Sequence, residues 1–201
     1  CDDIFDKLSV EGGKTILDLG CGCSPLVNEI IEESKSRNCK LLLVDSEEMI
    51  SNISGDKSSA IIVSGMFPQT PELFKTYREK IDYIICYSVF HYVFVQNNYL
   101  EFIHKAMELL KPGGAMIIGD IPNVTKRKRF LESDEGKEFT KGYKQQSGDT
   151  SHENLAEKID DSIVFSILQR MRCFGVESYV LPQNNKLPMW NRREDILLIK
   201  R

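Results

Sequence analysis

An α/β fold built on a doubly wound, mostly parallel sheet of seven strands is what this sequence predicts, and three observations predict it. Apolar, β-branched runs recur at Thr15–Leu19, Lys40–Val44, Ala60–Val63, Ile81–Cys86 and Ala115–Gly119, each continuous rather than alternating. Strands covered by helices on both faces read this way. The gaps between the runs are each long enough for one helix, and a β-α-β-α order with right-handed crossovers makes the sheet parallel. Two last runs, Val176–Leu181 and Asp195–Lys200, bring the strands to seven.

Each element has a local reason. The first run passes into Gly20-Cys21-Gly22-Cys23-Ser24-Pro25. Gly20 and Gly22 lack a Cβ, so the backbone can take positive φ there and a ligand can lie against it, while the next helix offers unpaired N–H groups at its start. Pro25 suits the first helical position after Ser24 as cap, and Leu26, Ile30 and Ile31 form the apolar face. The second run ends at Asp45, where doubly wound nucleotide folds place a carboxylate that accepts ribose hydroxyls. Ser46 to Glu48 then reads as the capped start of a helix. Ser64-Gly65-Met66-Phe67-Pro68 closes the third strand as a turn. Asn98 and Glu101 form a capping box, and Leu100, Ile103, Met107 and Leu110 line one helical stripe until Lys111-Pro112-Gly113-Gly114 stops it.

From Asp120 to about Ser162 charges dominate and apolar residues thin out. Open α/β sheets bind ligands at the carboxyl ends of their strands, so residues 121–162 are expected as an inserted lid after the fifth strand, within one domain spanning 1–201. The run Lys126-Arg127-Lys128-Arg129 reads either as a solvated helix face or as a phosphate clamp.

The strand-turn-helix of Thr15 to Pro25, with Asp18 two residues before the first glycine, resembles the class I S-adenosylmethionine-dependent methyltransferases. Their turn reads Gly-x-Gly-x-Gly, and this chain has Ser24 at the third place. A dinucleotide-binding turn reads G-x-G-x-x-G, and an acid beside it would repel a pyrophosphate, whereas S-adenosylmethionine carries an ammonium. The resemblance implies that the cofactor is S-adenosylmethionine, released as S-adenosylhomocysteine, and that Asp18 reaches the methionine ammonium. Gly20, Cys21 and Gly22 would cradle the cofactor, Asp45 and Ser46 hold its ribose, and Met49 lie against its adenine. Gly65 and Met66 stand where the family often has an Asp or Asn for the adenine amino group; here a backbone N–H would serve. Asp18 satisfying only local backbone is the bland alternative. The Lys-Pro-Gly-Gly stop and the closing two-strand hairpin are further points of similarity.

In the same family the segment after the fourth strand, Cys86-Tyr87-Ser88-Val89-Phe90-His91-Tyr92, lies beside the sulfonium and the acceptor. The Asn/Asp-Pro-Pro-Tyr/Phe tetrapeptide of amide- and nucleobase-methylating relatives is absent, which points to another kind of acceptor. His91 and Asp120 are the candidate catalytic groups, since methyl transfer to oxygen benefits from a base and the rest is alignment. Tyr92, His152 and Trp190 are candidate acceptor contacts; packing in the core, or polar exposure for His152, is the alternative. The expected reaction is methyl transfer to a small molecule, at an oxygen of a sugar or nucleotide-linked metabolite. Two other readings stand beside it: a nicotinamide-dependent oxidoreductase on the same fold, disfavoured by Asp18 and the lack of a Tyr-x-x-x-Lys relay, and a non-catalytic S-adenosylmethionine-binding module.

Bulk properties narrow the partners. A net charge of −4 and a pI near 5.5 offer no global attraction for nucleic acid or an anionic membrane, so neither is an expected partner. Six cysteines without C-x-x-C pairs or zinc-ligand spacing favour free thiols in a cytoplasmic protein and argue against a metal site. No apolar run approaches the roughly 20 residues of a membrane span. The chain opens on Cys1, which leaves room for an upstream segment, and oligomeric state is not legible.

Overall fold

The computed structural model describes residues 1–143 and 158–201, with no side-chain description for 142 and 143. Among them lie α1 (Asp2–Leu8), β1 (Thr15–Leu19), α2 (Pro25–Ser36), β2 (Lys40–Asp45), α3 (Glu47–Ser51), β3 (Ala60–Ser64), α4 (Pro71–Tyr77) and β4 (Ile81–Tyr87). Then follow α5 (Phe90–Gln96), α6 (Tyr99–Leu109), β5 (Leu110–Pro122), α7 (Val124–Glu132), α8 (Asp134–Tyr143), α9 (Asp161–Cys173), β6 (Val176–Leu181) and β7 (Arg193–Lys200). The seven strands form one sheet in the order β3-β2-β1-β4-β5-β7-β6, parallel except for β7, which runs antiparallel to both β5 and β6.

The continuous apolar runs are explained by two cores. Leu17, Leu19, Leu42, Val44, Ile84 and Ile118 face one layer, where Leu73, Ile103, Ala106, Ile167 and Met171 of α4, α6 and α9 cover them. Ile16, Leu41, Leu43, Ile85 and Ile117 face the other, under Phe5 of α1 and Val27, Ile30 and Ile31 of α2. Successive strand residues point to opposite faces, so with helices on both sides every position must be apolar. Asp18 breaks that rule inside β1 at 2% exposure.

Several local expectations are modified. Asn98 does cap α6, its side chain accepting from the Glu101 N–H at 3.2 Å. Ser24 precedes Pro25 with extended backbone but makes no side-chain cap. Lys111 to Gly114 does not form a separate loop: β5 starts at Leu110, pairs with Ile81, bulges, and resumes at Ala115 opposite Tyr83. Gly113 takes φ 80° in that bulge, which explains the glycine pair. After β5 the charged stretch folds into α7 and α8. The Asn123 side chain accepts from the Thr125 and Lys126 N–H groups and starts α7. The middle of the expected lid, with His152, lies outside the described residues.

Candidate active site

The carboxyl ends of β1, β2 and β3 meet at one cleft. The chain leaves β1 through Gly20 at φ 74° and Gly22 at φ 60°, both left-handed. A Cβ on Gly20 would stand 2.7 Å from Val89 Cγ2, so only glycine fits between this turn and the entry to α5. The Gly20 N–H donates to the Val44 carbonyl at 2.8 Å and ties the turn to β2. The Gly22 N–H donates to Asp45 Oδ2 at 2.8 Å and the Ser46 N–H to Oδ1 at 2.7 Å. Each carboxylate oxygen is thus fixed by one main-chain donor and keeps further acceptor capacity. Ser46 Oγ accepts from the Met49 N–H at 3.3 Å, which starts α3 and sets Met49 on the outer lip, its Sδ 3.9 Å from Cys23 Sγ. Gly20, Asp45, Gly65, Met66, Val89 and Tyr92 line the cleft, which holds about 470 Å³ including the space open to solvent.

Asp18 lies directly beneath the turn. It is fully buried, and no hydrogen bond or ion pair reaches its carboxylate among the described residues. Burial, with the nearby Asp45 charge second, pushes its pKa up from 3.8 to about 7. An acid in this setting is costly to ionise and becomes favourable only when a cation arrives. Cys21 and Cys86 border it as small side chains, and burial first, then the Asp18 charge, pushes both thiols upward. Neither is a nucleophile in this state.

β4 and β5 end in a second cluster. Ser88 at φ 60° and Asp120 at φ 55° are both left-handed non-glycine residues, and Ser88 Oγ donates to Asp120 Oδ2 at 2.8 Å. Arg193 closes on Asp120, with Nη1 3.2 Å from its carbonyl and 3.7 Å from its carboxylate. The Asp120 N–H donates to Asp195 Oδ1 at 2.8 Å. Asp195 is wholly buried, takes a 2.6 Å bond from Lys7 on its other oxygen, and accepts from Gln183 at 3.0 Å. Two residues in a strained backbone conformation, facing each other at strand ends, are held there by this buried network.

His91, on the first turn of α5, is half-buried, and its Nδ1 is buried without a hydrogen bond among the described residues. Burial, then the Arg193 charge, holds its pKa below the ordinary histidine value, against an opposing pull from Asp120. The imidazole is therefore neutral near pH 7. His91 lines a hollow with Tyr92, Gln96, Pro122, Val124 and Lys158, and Tyr92 and Gln96 are also walls of the Asp45 cleft. The two hollows adjoin.

Other candidates are placed differently. The Tyr87 ring points toward the α1 and α2 face, where a Cβ on Gly119 would meet it at 2.2 Å, and its hydroxyl lies 3.5 Å from Gln183. Cys86 faces the opposite core, so of these two only backbone reaches the strand end. Trp190 opens a short 3₁₀ turn, Trp190–Arg192, and does not line the hollows, although its neighbours Met189 and Arg192 do. Of the basic run, Lys126 bonds Glu194 and the Arg193 carbonyl, and Arg129 pairs with Asp161. Arg127 alone of the four lines the hollow beside Met189. Arg193, Asp195 and Lys7 are not legible as site residues in the sequence; Lys7 and Asp195 lie at opposite ends of the chain, and no local pattern links them.

A family model described as a methyltransferase domain matches residues 11–163. The chain belongs to that family. It is a class I S-adenosylmethionine-dependent methyltransferase, and the seven-stranded sheet with antiparallel β7 is the fold of that class. No curated protein matches this methyltransferase. Among solved structures it is similar to an S-adenosylmethionine-dependent methyltransferase from Aquifex aeolicus, at 13% identity and TM-score 0.63, covering 100% of this chain and 89% of that one. It is also similar to the plantazolicin methyltransferase BpumL, solved with a desmethyl-plantazolicin analogue and S-adenosylhomocysteine, at 15% identity and TM-score 0.64, covering 94% and 76%. A Nostoc punctiforme protein that carries an O-methyltransferase name aligns at 15% identity and TM-score 0.61, over 99% of this chain and 56% of its own. This methyltransferase thus spans little more than half of that relative.

The residues present fit the cofactor. A buried acid unpaired among the described residues suits its ammonium, the glycine turn admits it without a Cβ in the way, and the fixed Asp45 carboxylate suits a vicinal diol. No helix among the described residues is long and apolar enough to cross a membrane.

Proposed function

We propose that this methyltransferase methylates a hydroxyl oxygen of a small molecule, a sugar or nucleotide-linked metabolite, with His91 as the proton acceptor. S-adenosylmethionine supplies a methyl carbon on a positively charged sulfur and leaves as S-adenosylhomocysteine. Asp18 would hold the ammonium, Gly20, Cys21 and Gly22 the methionyl chain through their backbone, and Asp45 with Ser46 the ribose. Met49, Gly65 and Met66 would border the adenine. His91, whose imidazole is neutral, would accept the proton of the acceptor hydroxyl as that oxygen takes the methyl group. Asp120, already engaged by Ser88 and Arg193, orients that corner rather than collecting the proton.

The supporting observation is the shared wall: Tyr92 and Gln96 border both the Asp45 cleft and the hollow that His91 lines. A hydroxyl bound in the second hollow would lie next to a cofactor held in the first. Val124, at the start of α7, lines that hollow, in keeping with residues 121–162 acting as a lid within a single domain. His152 and Trp190 stay candidate acceptor contacts on the lid and on the β6–β7 connection.

The test is a panel of sugars, sugar phosphates and nucleotide sugars assayed for S-adenosylhomocysteine release, alongside calorimetric titration with S-adenosylhomocysteine. Asp45→Ala is expected to weaken that affinity by on the order of tenfold to a hundredfold, the loss expected for hydrogen bonds to a charged group. Unaltered affinity would remove the ribose assignment. Product methylated only at nitrogen or carbon would remove the oxygen acceptor, and a panel without turnover despite tight binding would favour a binding module.

A further inference from the structure

Past His91 the surface turns strongly positive. The His91 hollow shares Pro122, Val124 and Lys158 with a further hollow of about 620 Å³ including open space, into which Arg127, Arg192 and Arg193 also face. Among the described residues, half of those lining it are cationic and none is acidic, in a chain whose net charge is −4. The cations come from three separated parts of the chain: Arg127 from α7, Lys158 from the segment before α9, and Arg192 and Arg193 from the end of the β6–β7 connection and the start of β7. A solvated helix face would not gather them, because such a face draws its charges from one helix.

The placement of each cation is also specific. The Arg192 guanidinium stacks over Phe130 and Phe139 at 5.2 and 4.8 Å, which holds it in place. Arg193 is anchored on Asp120, through its carbonyl and its carboxylate. Neighbouring Lys126 and Arg129 do not line the hollow and pair with Glu194 and Asp161. Arg127, Lys158 and Arg192 make further contacts as well, and the charge they bring to the hollow does not depend on their lacking partners.

We infer that the Arg127, Lys158, Arg192 and Arg193 hollow binds a phosphoryl group of the acceptor, a phosphomonoester or a diphosphate, and so presents the acceptor's hydroxyl to His91. This rests on the reading of a small-molecule hydroxyl acceptor given above and adds its charge class. Three guanidiniums and an ammonium exceed what one carboxylate can satisfy, whereas a phosphoryl dianion has acceptor oxygens on several sides. The acidic remainder of the surface would repel the same ligand elsewhere, which makes this hollow its point of entry.

The experiment titrates inorganic pyrophosphate into the full chain saturated with S-adenosylhomocysteine, at constant ionic strength, with acetate as the carboxylate arm. Pyrophosphate is expected to bind and acetate not. Arg127→Gln and Lys158→Gln should each weaken pyrophosphate binding roughly tenfold or more. Lys128→Gln removes the same charge from the exposed side of α7 and should leave it unchanged. Affinity for S-adenosylhomocysteine, measured in the same samples, should not move in any variant. If pyrophosphate fails while S-adenosylhomocysteine still binds, the inference is overturned and the methyltransferase reading stands. Equal losses in Lys128→Gln would reduce the effect to bulk charge, and binding of acetate in place of pyrophosphate would reassign the hollow to carboxylates; either result also overturns it.

Discussion

Asp18 couples cofactor binding to protons, and the size of the coupling follows from its surroundings. Burial first, and the Asp45 charge second, raise its pKa to about 7, because no donor among the described residues stabilises the carboxylate. A bound ammonium stabilises the ionised form only. Apparent affinity for S-adenosylhomocysteine should therefore follow the ionised fraction, which rises from about one in eleven at pH 6 to about ten in eleven at pH 8. That is roughly a tenfold gain, or about 1.4 kcal/mol, with close to one proton released per binding event at the lower pH. Calorimetry in two buffers of different ionisation enthalpy reads both quantities. Asp18→Asn serves as the control: any contribution from the ligand's own groups persists in it, and the tenfold step disappears.

The same group acts on the empty protein in the opposite direction. The unfolded chain gives up this proton near 3.8, while the folded chain keeps it to about 7. The stabilisation is fully present below 3.8 and is lost as pH rises to about 7, by on the order of 4 kcal/mol. Asp18→Asn should thus unfold no earlier than the unaltered protein at pH 8 while binding S-adenosylhomocysteine more weakly. A flat affinity profile from pH 6 to 8 without proton release, or an Asn variant of full affinity, would refute the reasoning.

Two other perturbations have defined outcomes. His91→Gln should lower the methyl-transfer rate by about 10²–10⁴-fold at unchanged S-adenosylhomocysteine affinity, and the unaltered enzyme's acid limb should fall below the ordinary histidine range because burial depresses this imidazole; a pH–rate profile checks both. Asp195→Ala leaves the half-buried Lys7 with Asp3 as its one remaining acid partner among the described residues and should cost about 3 kcal/mol in urea unfolding, with Lys7→Met/Asp195→Leu recovering much of it.

The strands could be read along the chain because two covered faces demand unbroken apolar runs, and the turn because positive φ at Gly20 and Gly22 is a local property of glycine. Asp45 was legible for a similar reason: strand ends are local, and its partners Gly22 and Ser46 sit on the adjacent turn and at the next residue. Tyr87 shows where that logic stops. Its position at the end of β4 is visible in sequence, but which face its ring takes depends on the space left by Gly119 on the neighbouring strand. The basic run misleads in the same way, since Lys126 and Arg129 find Glu194 and Asp161, distant acids that only folding brings near.

What the sequence alone determined, then, is the sheet, its glycine turn and the two acids beside it, all features that short-range sterics and patterning impose on neighbouring residues. Only the tertiary structure decided that Asp18 is left without a partner among the described residues, that Lys7 and Asp195 join beneath Asp120, and that Arg127, Lys158, Arg192 and Arg193 converge past His91. Burial and charge proximity are sums over residues far apart in the chain, and no local pattern carries them.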